Sequence, residues 1–260
     1  MLHHEISGNG KKPLVLLHGF MENTTIWDEM EAHLSKDFTL IKIDLPGHGK
    51  SKVYQEIHTV ELMAEKVKEV IDALKLEKIN LLGHSLGGYV SLAFAEKFPE
   101  ILESMTLFFS TTVADDEEKK AIRKRSIAVI DENFETFVKT SIPNLFSNNE
   151  KDILEGKIEL AKNIAKSTNK EGVKAAQLGM AERPDRTEIL ENLDAKILII
   201  AGKYDNAVKT ENLLKIIPEK TNIKTYVLDC GHNGHWEKPT ICAEIINTEL
   251  FHNLPKHFLL

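Results

Sequence analysis

The chain has 260 residues, 42% of them hydrophobic, which suffices for a sizeable core and excludes a disordered, collagen-like or disulfide-stapled chain. Its 33 lysines and arginines against 40 aspartates and glutamates give a formal net charge of -7, so a polyanion is repelled and nucleic acid is not an expected partner. The opening MLHHEISGNGKK lacks a basic segment, apolar run and cleavage site in succession, and no stretch reaches membrane-span length; the expectation is a cytoplasmic protein without membrane contact.

Apolar runs of strand length occur at PLVLLHG (13–19), FTLIKID (38–44), KINLLG (78–83) and MTLFFS (105–110), alternating with segments of helical period. That alternation predicts an α/β fold with a mostly parallel, doubly wound sheet covered on both faces. Between the second and third runs, Met63, Val67, Val70, Ile71 and Leu74 recur at steps of three and four, with charged residues between them: an amphipathic crossover helix.

After Ser110 the alternation stops, and about eighty residues of helical periodicity precede the next strand, KILIIAG (196–202). Residues 111–190 are therefore read as a helical insertion into a core formed by 1–110 and 191–260. Within it, ADDEEKKAIRKR puts acids at a helix start and bases beyond, which suits the helix dipole and reads as a solvated face. A helix around ENLLKII, a strand IKTYVLD (223–229) and a last helix from about Thr240 to His252 complete the chain. The two cysteines, Cys230 and Cys242, have neither paired nor metal-ligand spacing and are expected to be free thiols.

Nucleophilic serine catalysis needs an exposed hydroxyl, a base, an acid to orient the base, and donors for an oxyanion. Gly83-His84-Ser85-Leu86-Gly87 lies between a strand and a helix, the setting in which Gly-x-Ser-x-Gly forms a nucleophile elbow; side chains two residues either side of the serine would collide as the chain reverses. HGF (18–20) directly follows a strand, so the N–H groups of Phe20 and Leu86 are candidates for an oxyanion hole, while His18 in that turn is read as structural.

HGF (18–20), DLPGHGKS (44–51), GHSLGG (83–88), GKYDNAV (202–208) and GHNGHWEKP (231–239) occur in the order of the landmarks of the α/β-hydrolase superfamily, which the sequence resembles over nearly its whole length. The resemblance implies an α/β-hydrolase fold with a helical cap at 111–190, and Ser85, Asp205 and His232 as a triad in the chain order Ser, Asp, His. Asp115 or Asp116 would be the acid if it stood one strand earlier; they look solvated, and Asp44 falls in a loop the family uses structurally. Counting back from Glu237 and Pro239 selects His232 as the base, leaving His235 at a variable neighbouring position that faces solvent or the pocket rim.

In the cap, Phe134, Phe137, Leu145, Phe146, Leu178 and Met180 are candidates to line the pocket or form the cap's own core, as is Trp236 in the base loop to contact substrate or to pack. Arg183 and Arg186 either meet a substrate carboxylate or pair with Asp185 and Glu188. No metal or organic cofactor is implied: the histidines lack HExxH-type spacing, and DLPGHGKS lacks the first glycine of a phosphate loop. The expected activity is hydrolysis of a small carboxylic ester or related acyl compound. Alternatives are carbon–carbon bond hydrolysis or a menaquinone-pathway-type lyase reaction on the same triad, and a receptor-like ligand-binding protein with vestigial turnover. Aspartate-nucleophile dehalogenation is disfavoured by the serine at position 85.

Overall fold

The computed structural model describes residues 1–251. Strands β1 (His4–Ser7), β2 (Lys12–Leu17), β3 (Phe38–Ile43), β4 (Ile79–His84), β5 (Leu102–Phe108), β6 (Lys196–Gly202) and β7 (Ile223–Leu228) form one sheet in the order β1-β3-β2-β4-β5-β6-β7. Only β1 runs antiparallel, against β3; the other pairs are parallel. The long apolar runs are explained by burial on both faces. Val15 and Leu17 of β2 enter one core cluster, whereas Leu14 and Leu16 enter the other.

Strand β1 was not expected from the sequence. HEIS is a four-residue edge strand whose Ile6 is 53% exposed, so it carries no apolar run to betray it.

Helix α1 (Asp28–Leu34) follows a 3-10 turn, and α2 (Val60–Ala73) is the crossover helix. Its N-cap Thr59 accepts the Leu62 N–H, and it buries Met63, Val67, Val70 and Ile71 as the periodicity predicts. Helix α3 (Leu86–Lys97) starts immediately after Ser85.

Between β5 and β6 the chain forms α4 (Glu117–Ser141), α5 (Glu155–Ser167), α6 (Lys170–Glu182) and α7 (Glu188–Asn192), with no strand among the described residues there. Asn133 interrupts α4 with φ −155°, ψ 83°, and its side chain accepts the Thr136 N–H, capping the second half of the helix as a fresh start. Helix α8 (Thr210–Lys215) follows β6; α9 (Gly234–Glu237) and α10 (Pro239–Ile246) follow β7, and a π-helical turn covers Asn247–Phe251. His252, the expected end of the last helix, lies outside the described residues.

Two features place the site. The chain winds from β2 outward to β3, then returns to lay β4 on the other side of β2, so the C-terminal ends of β2 and β4 flank a topological switch point, where open α/β sheets bind ligands. HGF leaves β2 and Ser85 leaves β4 at that edge.

Candidate active site

Ser85 has φ +50°, ψ −109°, a conformation side chains rarely adopt, and still precedes a regular helix. The surrounding backbone enforces it. Ser85 N–H donates to the Phe108 carbonyl at 3.0 Å, and its own carbonyl accepts the Gly88 N–H at 2.9 Å and the Ser110 hydroxyl at 2.8 Å. A Cβ on Gly83 would stand 2.2 Å from the Gly87 carbonyl oxygen, and one on Gly87 2.3 Å from that of Leu17. The expected collision thus involves the two flanking glycines themselves, and the second contact brings the start of α3 against the end of β2. Leu86, as the first residue of α3, has an N–H with no acceptor inside its helix.

His232 stands in the loop after β7, its Nδ1 2.7 Å from Asp205 Oδ2. Asp205, in the turn after β6, is itself held: Oδ1 accepts the N–H groups of Ala207 and Val208 at 2.7 and 2.9 Å. Burial opposes a charge on His232, but the charge and hydrogen bond of Asp205 outweigh it and hold the imidazole pKa above its ordinary value. The His232 N–H donates to the Leu145 carbonyl at 2.8 Å. Glu237, also buried, accepts the N–H groups of Gly231 and Ser147 on one oxygen and that of Asn233 on the other. The loop carrying His232 is therefore tied to the segment just after α4.

A cavity of ≈ 740 Å³ brings these elements together; Phe20, Ser85, His232, Phe137, Leu145 and Met180 all line it. Phe134 does not; it is half-buried against the core beneath the inserted helices. Phe146 and Trp236 are corrected as well. Phe146 is fully buried and stacked on Trp236, with ring centroids 6.0 Å apart and planes at 6°, so both are packing residues. Leu178 lines a separate surface cavity with Tyr54 and Ile127.

The expected solvation of Asp115 is wrong. It is buried, bonded to Arg123 and 2.9 Å from Arg183 Nη2, which together hold its carboxyl below the usual carboxylate range against the effect of burial. Asp116 caps α4 by accepting the Lys119 N–H. Arg183 also lies 3.9 Å over the Tyr89 ring and lines the cavity, and Arg186 pairs with Glu61 and Glu96, so of the two alternatives neither arginine takes the pairing with Asp185 and Glu188. Asp44 accepts the N–H groups of Thr24 and Lys50, and His18 Nε2 accepts that of Leu45: both hold loops.

His235 faces neither solvent nor the cavity rim. It is fully buried between Trp27, Trp236 and His84, and burial pushes its pKa well down, leaving a neutral ring. Beside it runs a chain of contacts that the sequence reading missed altogether: Glu22 Oε2 accepts the Gly19 N–H at 2.5 Å and lies 2.8 Å from His84 Nδ1, whose Nε2 is 3.1 Å from the His232 carbonyl oxygen. Among the described residues, Glu22, His84 and His235 are the one grouping whose ligand-type atoms lie within 4.8 Å of each other. The 2.8 Å Glu22–His84 contact is a hydrogen bond, whereas His235 Nε2 stands 3.7 Å from Glu22 Oε1 and neither of its ring nitrogens is hydrogen-bonded. Cys230 and Cys242 are buried and free, and burial raises the Cys242 thiol to about 12.

A doubly wound sheet with a strained serine between its fourth strand and the following helix is the architecture of a hydrolase. The chain belongs to the α/β-hydrolase family: the sequence model of the family described as "alpha/beta hydrolase fold" matches residues 12–239. Among solved structures it is similar to a thermophilic esterase from Thermogutta terrifontis, at 32% identity over 95% of this chain and 91% of that one, with a TM-score of 0.88. Among curated proteins it is 28% identical to a Bacillus subtilis protein provisionally named 2-succinyl-6-hydroxy-2,4-cyclohexadiene-1-carboxylate synthase, over 92% of this chain and 90% of that protein. It is 27% identical to an Escherichia coli 2-hydroxy-6-oxononadienedioate/2-hydroxy-6-oxononatrienedioate hydrolase, over 91% and 86% respectively. None of the helices among the described residues is long and apolar enough to cross a membrane.

Proposed function

We propose that the protein is a serine hydrolase of small carboxylic esters or related acyl compounds. The observation that carries this reading is a single cavity lined by Ser85, held at φ +50°, and by His232, whose Nδ1 is fixed 2.7 Å from Asp205. In the proposed cycle Ser85 Oγ attacks the carbonyl carbon and His232 takes its proton. The N–H groups of Phe20 and Leu86 hold the oxyanion as the tetrahedral intermediate forms. His232 then returns the proton to the departing alkoxide, leaving an acyl-enzyme; water, deprotonated by His232, releases the acid and regenerates Ser85. Asp205 keeps Nδ1–H in place throughout, which leaves Nε2 free to act as the base. The inserted helices of 111–190 serve as a cap supplying Phe137, Leu145 and Met180 to the acyl pocket. The similarity to an esterase at 32% identity supports ester chemistry.

The test is labelling with a fluorophosphonate, comparing wild type with Ser85→Ala, His232→Ala and His235→Ala. Wild type and His235→Ala are expected to label and the other two not to. An unlabelled wild type beside a labelled control hydrolase overturns the reading, and silence of His235→Ala with labelling of His232→Ala overturns the choice of base.

Carbon–carbon bond hydrolysis is the second reading, favoured by the similarity to the E. coli dienedioate hydrolase across most of both chains. Product analysis on diketone and ester substrates separates the two.

A further inference from the structure

Glu22 and His84 are both buried, line the cavity beside Ser85, and have no part in the proposed proton transfer. Both edges of the His84 ring are engaged. Its Nε2 lies 3.1 Å from the His232 carbonyl oxygen, and its Nδ1 lies 2.8 Å from Glu22 Oε2, which also accepts the Gly19 N–H. The ring is thus clamped between a carboxylate and a carbonyl. Burial would raise the pKa of Glu22, yet its interaction with His84 brings it to about 2. Gly19 has to be glycine for the clamp to close, because a Cβ there would lie 2.6 Å from Glu22 Oε2 and 2.7 Å from His84 Nδ1.

The three ends of this clamp are the three parts that the proposed mechanism must hold in register. Gly19 precedes Phe20 in the oxyanion loop, His84 precedes Ser85, and the bonded carbonyl belongs to the base, His232. A buried carboxylate with its polar partner is a poor source of stability, since an apolar pair of similar volume serves as well or better, so its presence here asks for another reason. We propose that Glu22 and His84 are a positioning pair that locks the oxyanion loop and the backbone of His232 to the nucleophile elbow. This rests on the serine-hydrolase reading and extends it to two residues that do not touch the reacting atoms.

An isosteric change discriminates. In Glu22→Gln the group facing His84 is either an oxygen or an NH2. An oxygen still accepts from Gly19 but no longer presents a carboxylate's charge to His84 Nδ1. An NH2 confronts the Gly19 N–H. One of the three contacts is weakened or lost either way. The experiment measures the inactivation constants kinact and KI for a fluorophosphonate, with thermal melts, in wild type, Glu22→Gln and His84→Gln. The expected result is kinact lower by about 10–100-fold in both variants, with KI within roughly threefold and melting little changed, as for small misplacements of reacting groups. Should Glu22→Gln not fold, His84→Gln decides. Labelling of both variants at the wild-type rate overturns the positioning pair and leaves the hydrolase intact, as do losses that merely follow the unfolded fraction. A wild type that does not label overturns both.

Discussion

Asp205 presents one carboxylate oxygen to His232 Nδ1 at 2.7 Å while its other oxygen is pinned by two backbone N–H groups, so its orientation does not depend on the histidine. Asp205→Asn can keep an oxygen toward Ala207 and Val208 and then turns an NH2 toward His232. That stabilises the tautomer whose Nε2 carries the proton and cannot act as base. Turnover of a p-nitrophenyl ester is expected to fall by roughly 10⁴-fold with an unchanged melting curve.

The raised pKa of His232 has opposite consequences for activity and stability. In the proposed cycle the ring must be neutral, so the acidic limb of kcat/KM is expected above the ordinary imidazole value of about 6.5, activity being lost as pH falls through it. For stability, the folded state binds this proton more tightly than the unfolded chain. The contribution is therefore fully present below the unfolded pKa and is lost as pH rises through the folded one. The difference in unfolding free energy between wild type and His232→Gln, followed by urea titration across pH 5 to 9, should shrink toward alkaline pH.

Gly87→Ala tests the elbow. The new Cβ would meet the Leu17 carbonyl oxygen at 2.3 Å, a backbone atom that cannot swing away. We expect a loss of about 1–3 kcal/mol by urea denaturation, together with loss of fluorophosphonate labelling as α3 moves off β2.

Asp115 is the anion of a buried cluster with Arg123 and Arg183. Asp115→Ala leaves two guanidinium groups uncompensated and is expected to cost about 3–5 kcal/mol, part of it recovered on adding Arg183→Met. Because its folded pKa is lowered, its contribution is present above the unfolded value of about 3.9 and is lost as pH falls through the folded one. Acid titration of wild type against Asp115→Asn checks this.

Two phenylalanines of the inserted segment separate lining from packing. Phe137→Ala enlarges the cavity and should shift preference among p-nitrophenyl esters toward longer acyl chains. Phe146→Ala removes a fully buried ring stacked on Trp236 and should cost about 3–5 kcal/mol while leaving that preference alone.

What the sequence reveals follows from where the determinants lie. The parallel strands are legible because burial on both faces forces long apolar runs, and the Ser85 elbow because its glycines answer a clash within five residues. Asp115 is illegible for the opposite reason: its neighbours along the chain are charged and exposed, while Arg183, which helps to bury it, comes from the end of α6. His235 and Glu22 are similar. Neither carries local patterning, and each acquires its environment only when its loop, after β2 or after β7, meets His84 at the end of β4. Phe146 and Phe137 look alike in sequence, and only the packing of Trp236 assigns one to the core.

The ties from Leu145 and Ser147 to the loop bearing His232 and Glu237 set a rule for recombination. A donor segment exchanged across the whole of 111–190 would arrive with its own backbone path at 145–147 and pull on His232, whereas a graft stopping at 144 replaces α4, with Phe137, and leaves that seam native. Natural or engineered swaps of substrate range in this chain should therefore have their crossover points before Leu145, and libraries built that way should retain the hydrolytic centre while varying the chamber above it.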